Sequence, residues 1–208
     1  TAQLVAITTA DVAALTTNAV SAITTTQAAK LTTAQVVALT SSQAAALSTD
    51  TLSVLSSTQV AAFETVDLAQ VTTAAIAAIS TAALTGLGTA QISKMGTAQV
   101  SSLTSDQVAA LSTANVNALT TAQVSNLTSA QLTALTTAQA KALGTAQIAA
   151  LGTAQINKLS TDQMGALTAL QVKAITTTDL VVLGSDQLAA ISSAGITGLT
   201  TDQVVAMT

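Results

Sequence analysis

Proline, cysteine, histidine, arginine, tryptophan and tyrosine are all absent from the 208 residues, and Phe63 is the only aromatic residue. Without cysteine there is no disulfide, thiolate metal site or cysteine nucleophile. Without histidine the commonest general base and metal ligand is missing. Positive charge is scarce as well, with five lysines against nine acidic residues and a formal net charge of −4. So few cations cannot neutralise a phosphate backbone, which argues against nucleic-acid binding. No polybasic or cationic amphipathic segment suits a membrane surface. The mean hydropathy is +0.62, yet Thr, Ser and Gln interrupt every apolar run well short of the roughly 18 residues a membrane span needs. No signal peptide is present, and because the chain starts inside a repeat this says nothing of targeting.

What is present is one pattern, repeated every eight residues without insertion or deletion. The octad Leu31-Thr32-Thr33-Ala34-Gln35-Val36-Val37-Ala38 serves as the type, with positions a to h. Position a is apolar in every octad from Ile7 to Met207, and position f is always apolar too. Position b is Thr, Ser or Gly except at Glu64, and position e is Gln in 17 of 26 octads. Asp takes position e at Asp11, Asp67 and Asp179. A short period of this kind is built by stacking one small unit. No linker, composition shift or charge run divides it, so residues 1–208 are expected to form a single continuous array of 26 octads. Because it opens and stops in mid-octad, the array is expected to be a segment of a longer chain.

The spacing reads as a helix start. Ser/Thr-x-x-Gln is a capping box, the b hydroxyl accepting from the amide of e while the e side chain accepts from the amide of b. Apolar residues at a and f then sit where a hydrophobic staple joins the residue before the cap to the fourth helical residue. Leu31, Thr32, Gln35 and Val36 make one such set, and Leu103, Thr104, Gln107 and Val108 another. A single long helix is excluded: eight residues advance about 800°, so a and f would smear around the axis. In a strand a and f have opposite parity and cannot share a face. The expected fold is therefore all-α, an α-solenoid (superhelix) of very short helices, one per octad. A β-solenoid, favoured by Thr and Val, is the alternative. Each helix should run over c to h, with a turn at a and b. Helices this short persist only if a and f share a core with neighbouring octads. Position h, mostly Ala, suits close approach, and the variable position g faces solvent. Glycine at b (Gly88, Gly96, Gly144, Gly152, Gly184) fits either an N-cap or a left-handed helix end.

Candidate chemistry is thin. Asp106, Asp162, Asp186 and Asp202 fall early in the helix, where they complement its dipole. No spacing forms a calcium loop or a glycine-rich phosphate loop, so no catalytic residue, metal site or cofactor is expected, and the chain reads as non-enzymatic. Asn126-Leu127-Thr128 fits the glycosylation acceptor pattern, a chance match among so many threonines. Lys30, Lys94 and Lys158 are spaced by eight octads. The stretch from Phe63 to Gly86 departs furthest from the consensus, with Glu64 at the cap, Val66 at d, and Ala75 and Ala83 where Gln is expected. It reads as drift in a tolerant array, or else as a bend or docking point. The Thr/Ser rows at b and c read as capping and solvation. Their sharper readings are O-linked glycan attachment or a flat face that orders water or ice.

The string Leu-Thr-Thr-Ala-Gln-Val-Val-Ala-Leu at 31–39 resembles the first-helix opening of transcription-activator-like effector repeats. That resemblance covers one helix start and lacks the base-reading loop, so no DNA reading follows. Across every octad the chain resembles the Leu-Thr-x-x-Gln tandem repeats of very large bacterial surface and adhesin-like proteins. This resemblance implies an extracellular or cell-surface, non-enzymatic chain, the shaft of a filament or an adhesin stalk. Its implied partner is itself, laterally or end to end, with O-linked glycans as a further candidate. The alternative function is a binding module, an ice-binding or glycan-contacting solenoid.

Overall fold

The computed structural model describes residues 6–207. Among them every regular element is an α-helix of four to six residues, from Thr9–Ala14 to Thr201–Ala206, one in each octad, and there is no strand. The β-solenoid alternative is thereby excluded. Each N-cap lies at position b in the extended region, as at Thr32 (φ −74°, ψ 157°) and Thr104 (φ −70°, ψ 163°).

The helices end without proline and without a left-handed residue, for no described residue has positive φ. Of the two roles open to glycine at b, the structure selects the N-cap, with φ −84° at Gly88 and −88° at Gly152. Termination comes instead from position a. Its amide donates to the carbonyl of f three residues earlier, as in Leu111 N to Val108 O at 3.2 Å, a tightened last turn. Position a and the next cap are then both extended, which reverses the chain. Continuing the helix would carry successive a side chains out of the core, so the following cap decides where each helix stops.

The chain forms two compact units, Thr1–Leu111 and Ser112–Thr208. Within each, a helix lies beside the helix three octads away. In the first unit Thr49–Ser53 packs with Thr73–Ala78, and Ser57–Ala61 with Thr81–Leu84; in the second Thr137–Ala142 packs with Thr161–Ala166. Each unit is therefore a small solenoid whose core is lined by positions a and f. Leu31, Val36, Leu103 and Val108 are all buried there. Isolated helices of one turn and a half do not persist in water, so this shared burial holds them.

Among the described helices, an Ala at h always goes with a length of five or six residues, whereas other residues there go with either length. Val54, Lys94, Ser102 and Asn126 close octads with the longer helices. Six helices have only four residues: Thr25–Ala28, Thr65–Leu68, Thr81–Leu84, Thr153–Ile156, Thr177–Leu180 and Ser193–Ile196. Their h residues are Lys30, Gln70, Gly86, Lys158, Val182 and Gly198, none of them Ala. Helices whose h residue is Ala reach five or six residues. Thr89–Lys94 keeps six with a lysine at h, so a long side chain there does not by itself shorten the helix. Position h lies against the turn before it. A Cβ at Gly86 would overlap the Ser57 carbonyl of that turn, and one at Gly198 would overlap the carbonyl of Ala169. A methyl elsewhere spaces the layers; glycine lets the backbone close up.

Candidate functional site: the glutamine row between turns

Most glutamines at e are as buried as the core leucines, Gln107 and Leu103 each being 3 % exposed, while Gln27, Gln155 and Gln187 are half-buried. A buried carboxamide must satisfy an acceptor oxygen and a two-proton donor. The oxygen serves the helix start. Thr104 N donates to Gln107 Oε1 at 2.7 Å, and Gln107 N donates to Thr104 Oγ1 at 3.2 Å. The same pair joins Thr32 and Gln35, at 3.0 and 3.2 Å. At Gly88 and Gly96 the cap has no side chain, and only the glutamine half survives, at 2.8 and 2.7 Å.

The amide nitrogen reaches elsewhere. Gln107 Nε2 donates to the carbonyls of Ala77 at 2.9 Å and Ile79 at 2.6 Å. Gln59 Nε2 donates to Ala28 and Leu31, at 2.9 and 2.8 Å. In the second unit Gln171 donates to Ala140 and Leu143, at 2.9 and 2.7 Å, and Gln155 to Ser125 and Leu127, at 3.0 and 2.9 Å. Gln35 reaches Ile7 O at 3.0 Å. The acceptors are the carbonyls at f and g of one octad and at a of the next, the end of an earlier helix. The f carbonyl, which already accepts from the amide of a, takes a second bond.

One side chain thus caps the N-terminus of its own helix and the C-terminus of another in the turn before. The recurring separation to position a is 28 residues, so a turn of the solenoid holds about three and a half octads. Within each unit, a helix that carries such a glutamine lies beside the third helix before it and is pinned to the end of the fourth. Every buried side-chain nitrogen and oxygen among the described residues has a partner. The row is a closed network, and its chemistry is fastening. Each clamp contributes about 1–3 kcal/mol, as two neutral hydrogen bonds between groups that would be costly to bury alone.

Where e is not Gln, the joint changes. Thr51 Oγ1 reaches Ile23 O, the same acceptor position, at 3.3 Å. Asp67 reverses the polarity, accepting from Ser41 Oγ at 2.5 Å. Asp179 turns back to its own cap, accepting from Thr176 Oγ1. The two glycines at h, Gly86 and Gly198, share an octad with Ala83 and Gly195 at e, so direct backbone approach accompanies the missing clamp.

Other residues singled out by the sequence take local roles. Asp106, Asp162, Asp186 and Asp202 lie in first turns. Asn126 caps a helix end and bonds Ala122 O at 2.8 Å, Leu127 is buried, and the Thr128 hydroxyl accepts from Gln131 N, so that triplet is ordered helix-end structure. The second task of Gln was not foreseen, although a signal was present. Glu completes a capping box as well as Gln and suits the helix dipole better, yet it never occurs at e. A demand for a donor fits the preference for Gln, although Asp is tolerated at Asp11, Asp67 and Asp179.

No group of three His, Cys, Asp or Glu is placed to hold a metal ion among the described residues, and no described helix is long and apolar enough to cross a membrane. Neither the curated proteins nor the solved structures contain a match to this chain. The ALTTAQ repeat matches five times, at residues 4–41, 60–97, 84–113, 137–169 and 172–208, which together exceed half the chain and include both Thr32–Gln35 and Thr104–Gln107. By these matches the chain is a member of the ALTTAQ repeat family.

Proposed function

We propose that this chain is a structural repeat protein, the shaft of an extracellular filament or adhesin stalk, with no catalytic activity. The carrying observation is the glutamine clamp: the polar residue spent most often in the core joins one turn to the next. Such a joint resists separation along a stack, the direction in which a shaft is loaded. Self-association, side by side or end to end, is the partner interaction this role entails, since a heterologous repeat interface continues when it does not close. Electron microscopy of the native protein tests the reading. Continuous fibres with an axial repeat of about 8–10 Å, the distance between helices lying side by side, are expected; compact particles would overturn it. Surface labelling of intact cells tests the extracellular placement.

The hydroxyl rows favour a second reading, a binding or glycan-bearing surface. Thr33, Thr97 and Thr145 at c are exposed, and capping occupies the b hydroxyls instead. Intact-mass measurement of the native chain would reveal O-linked glycans, and thermal hysteresis would reveal ice binding. An unmodified chain without hysteresis removes this reading.

A further inference from the structure

The stretch from Glu64 to Gly86 has a property that drift alone does not describe. Its three consecutive e residues are Asp67, Ala75 and Ala83, and none donates a hydrogen bond to the turn before it. The corresponding acceptors in that turn are the carbonyls of Leu39, Leu47 and Leu55, and no side chain among the described residues donates to them. Three octads are most of one turn. On either side the clamps resume, with Gln43 and Gln59 before and Gln91, Gln99 and Gln107 after. Reciprocal capping is missing over the same span. Glu64 makes no side-chain cap bond, while Thr72 and Ser80 accept from Ala75 N and Ala83 N without a return bond.

What remains is apolar contact plus one polar tie. Leu68, Ala75, Ile76, Ala83 and Leu84 are fully or almost fully buried, and Gly86 brings its backbone against Ser57. The tie is Ser41 Oγ to Asp67 Oδ1. Close apolar packing resists solvent but has no direction, whereas a clamp must break both its bonds before two turns can part. Exposed carbonyls gain water on opening, so this turn also gives up less when it separates.

We propose that this turn is a release joint, the place where the first unit opens reversibly between stacked helices before its other turns do. The proposal goes beyond the shaft reading and does not depend on it. In a loaded shaft, however, such a joint would yield first and spare the rest.

Hydrogen exchange on the intact chain under native conditions is the test. Amides in helices 65–84 are expected to exchange at least tenfold faster than those in helices 89–110, because opening free energy governs protection. Gln99→Ala removes one clamp and should accelerate exchange by about tenfold in the helices it joins, Thr65–Leu68 and Thr97–Ser101. Equal or greater protection over 65–84 would overturn the proposal. So would a Gln99→Ala chain whose exchange matches the parent, since the clamp would then not be what separates the two kinds of turn. Compact particles in the microscope would remove the shaft and leave this result standing.

Discussion

At Gln107 a single carboxamide faces an N–H on one side and two carbonyls on the other. Replacing it with Glu keeps the acceptor and sets an oxygen against the Ala77 and Ile79 carbonyls. Gln107→Glu should therefore cost about 3 kcal/mol, more than the roughly 1 kcal/mol expected for Thr104→Ala. Denaturant midpoints compare the two. The Glu loss should also be relieved by acid. A buried carboxylate facing carbonyls has its pKa raised, so the neutral acid, which can donate, is favoured below that pKa and the penalty returns as pH climbs through it. Asp11 has the opposite sign. The hydroxyl of Thr8, and then its amide, hold the Asp11 carboxyl below the ordinary carboxylate range. Its cap on Thr9–Ala14 should be fully present above the unfolded pKa and lost as pH falls through the lowered value. An NMR titration in which Asp11 protonates at the ordinary carboxylate pH would refute this. The cap was legible at this scale, because capping is local in sequence. The donor half of Gln was not, because its acceptors lie in another turn and no local rule points to them.

Among the elements, close approach depends on position h and helix starts on position b. Gly86→Ala would drive a methyl into the Ser57 carbonyl oxygen. No rotamer avoids that contact, so the helix must lift, at about 2–3 kcal/mol. At Gly152 nothing lies within 4 Å of an added Cβ, and φ is ordinary. Gly152→Ser should restore the missing cap bond to Gln155 and gain a few tenths of a kcal/mol. Thermal unfolding of the two variants should move in opposite directions; a neutral Gly86→Ala would mean the layers do not approach as described. Helix starts could be read from Thr, Ser and Gln because each cap is a short-range motif. Helix ends could not. The frequent Ala at h suggested close approach, but the shortening of Thr81–Leu84 and Ser193–Ile196 goes with backbone contacts to another turn that no local rule shows.

Within each unit cohesion is distributed over many joints of unequal strength, so single substitutions should lower stability locally while multiple ones erode cooperativity. Removing Gln91, Gln99 and Gln107 together, each to Ala, should broaden denaturant unfolding of the intact chain, and an unchanged slope would contradict that expectation. The repeat and its helical character were legible in the octad, since the capping pattern recurs in one register, but the β-solenoid alternative fell only to the observed helices. The number of octads per turn was not, because it is fixed by packing among helices rather than by any residue within one. That number has a consequence of its own. With about three and a half octads to the turn, a helix never rests squarely on one below. It lies beside one neighbour and is pinned to the end of the next, the running bond of brickwork. A mason staggers courses so that a crack meeting a seam finds solid brick ahead. Where the clamps run unbroken, a break between two helices likewise meets the middle of a third, and damage at one octad is bridged by its neighbours.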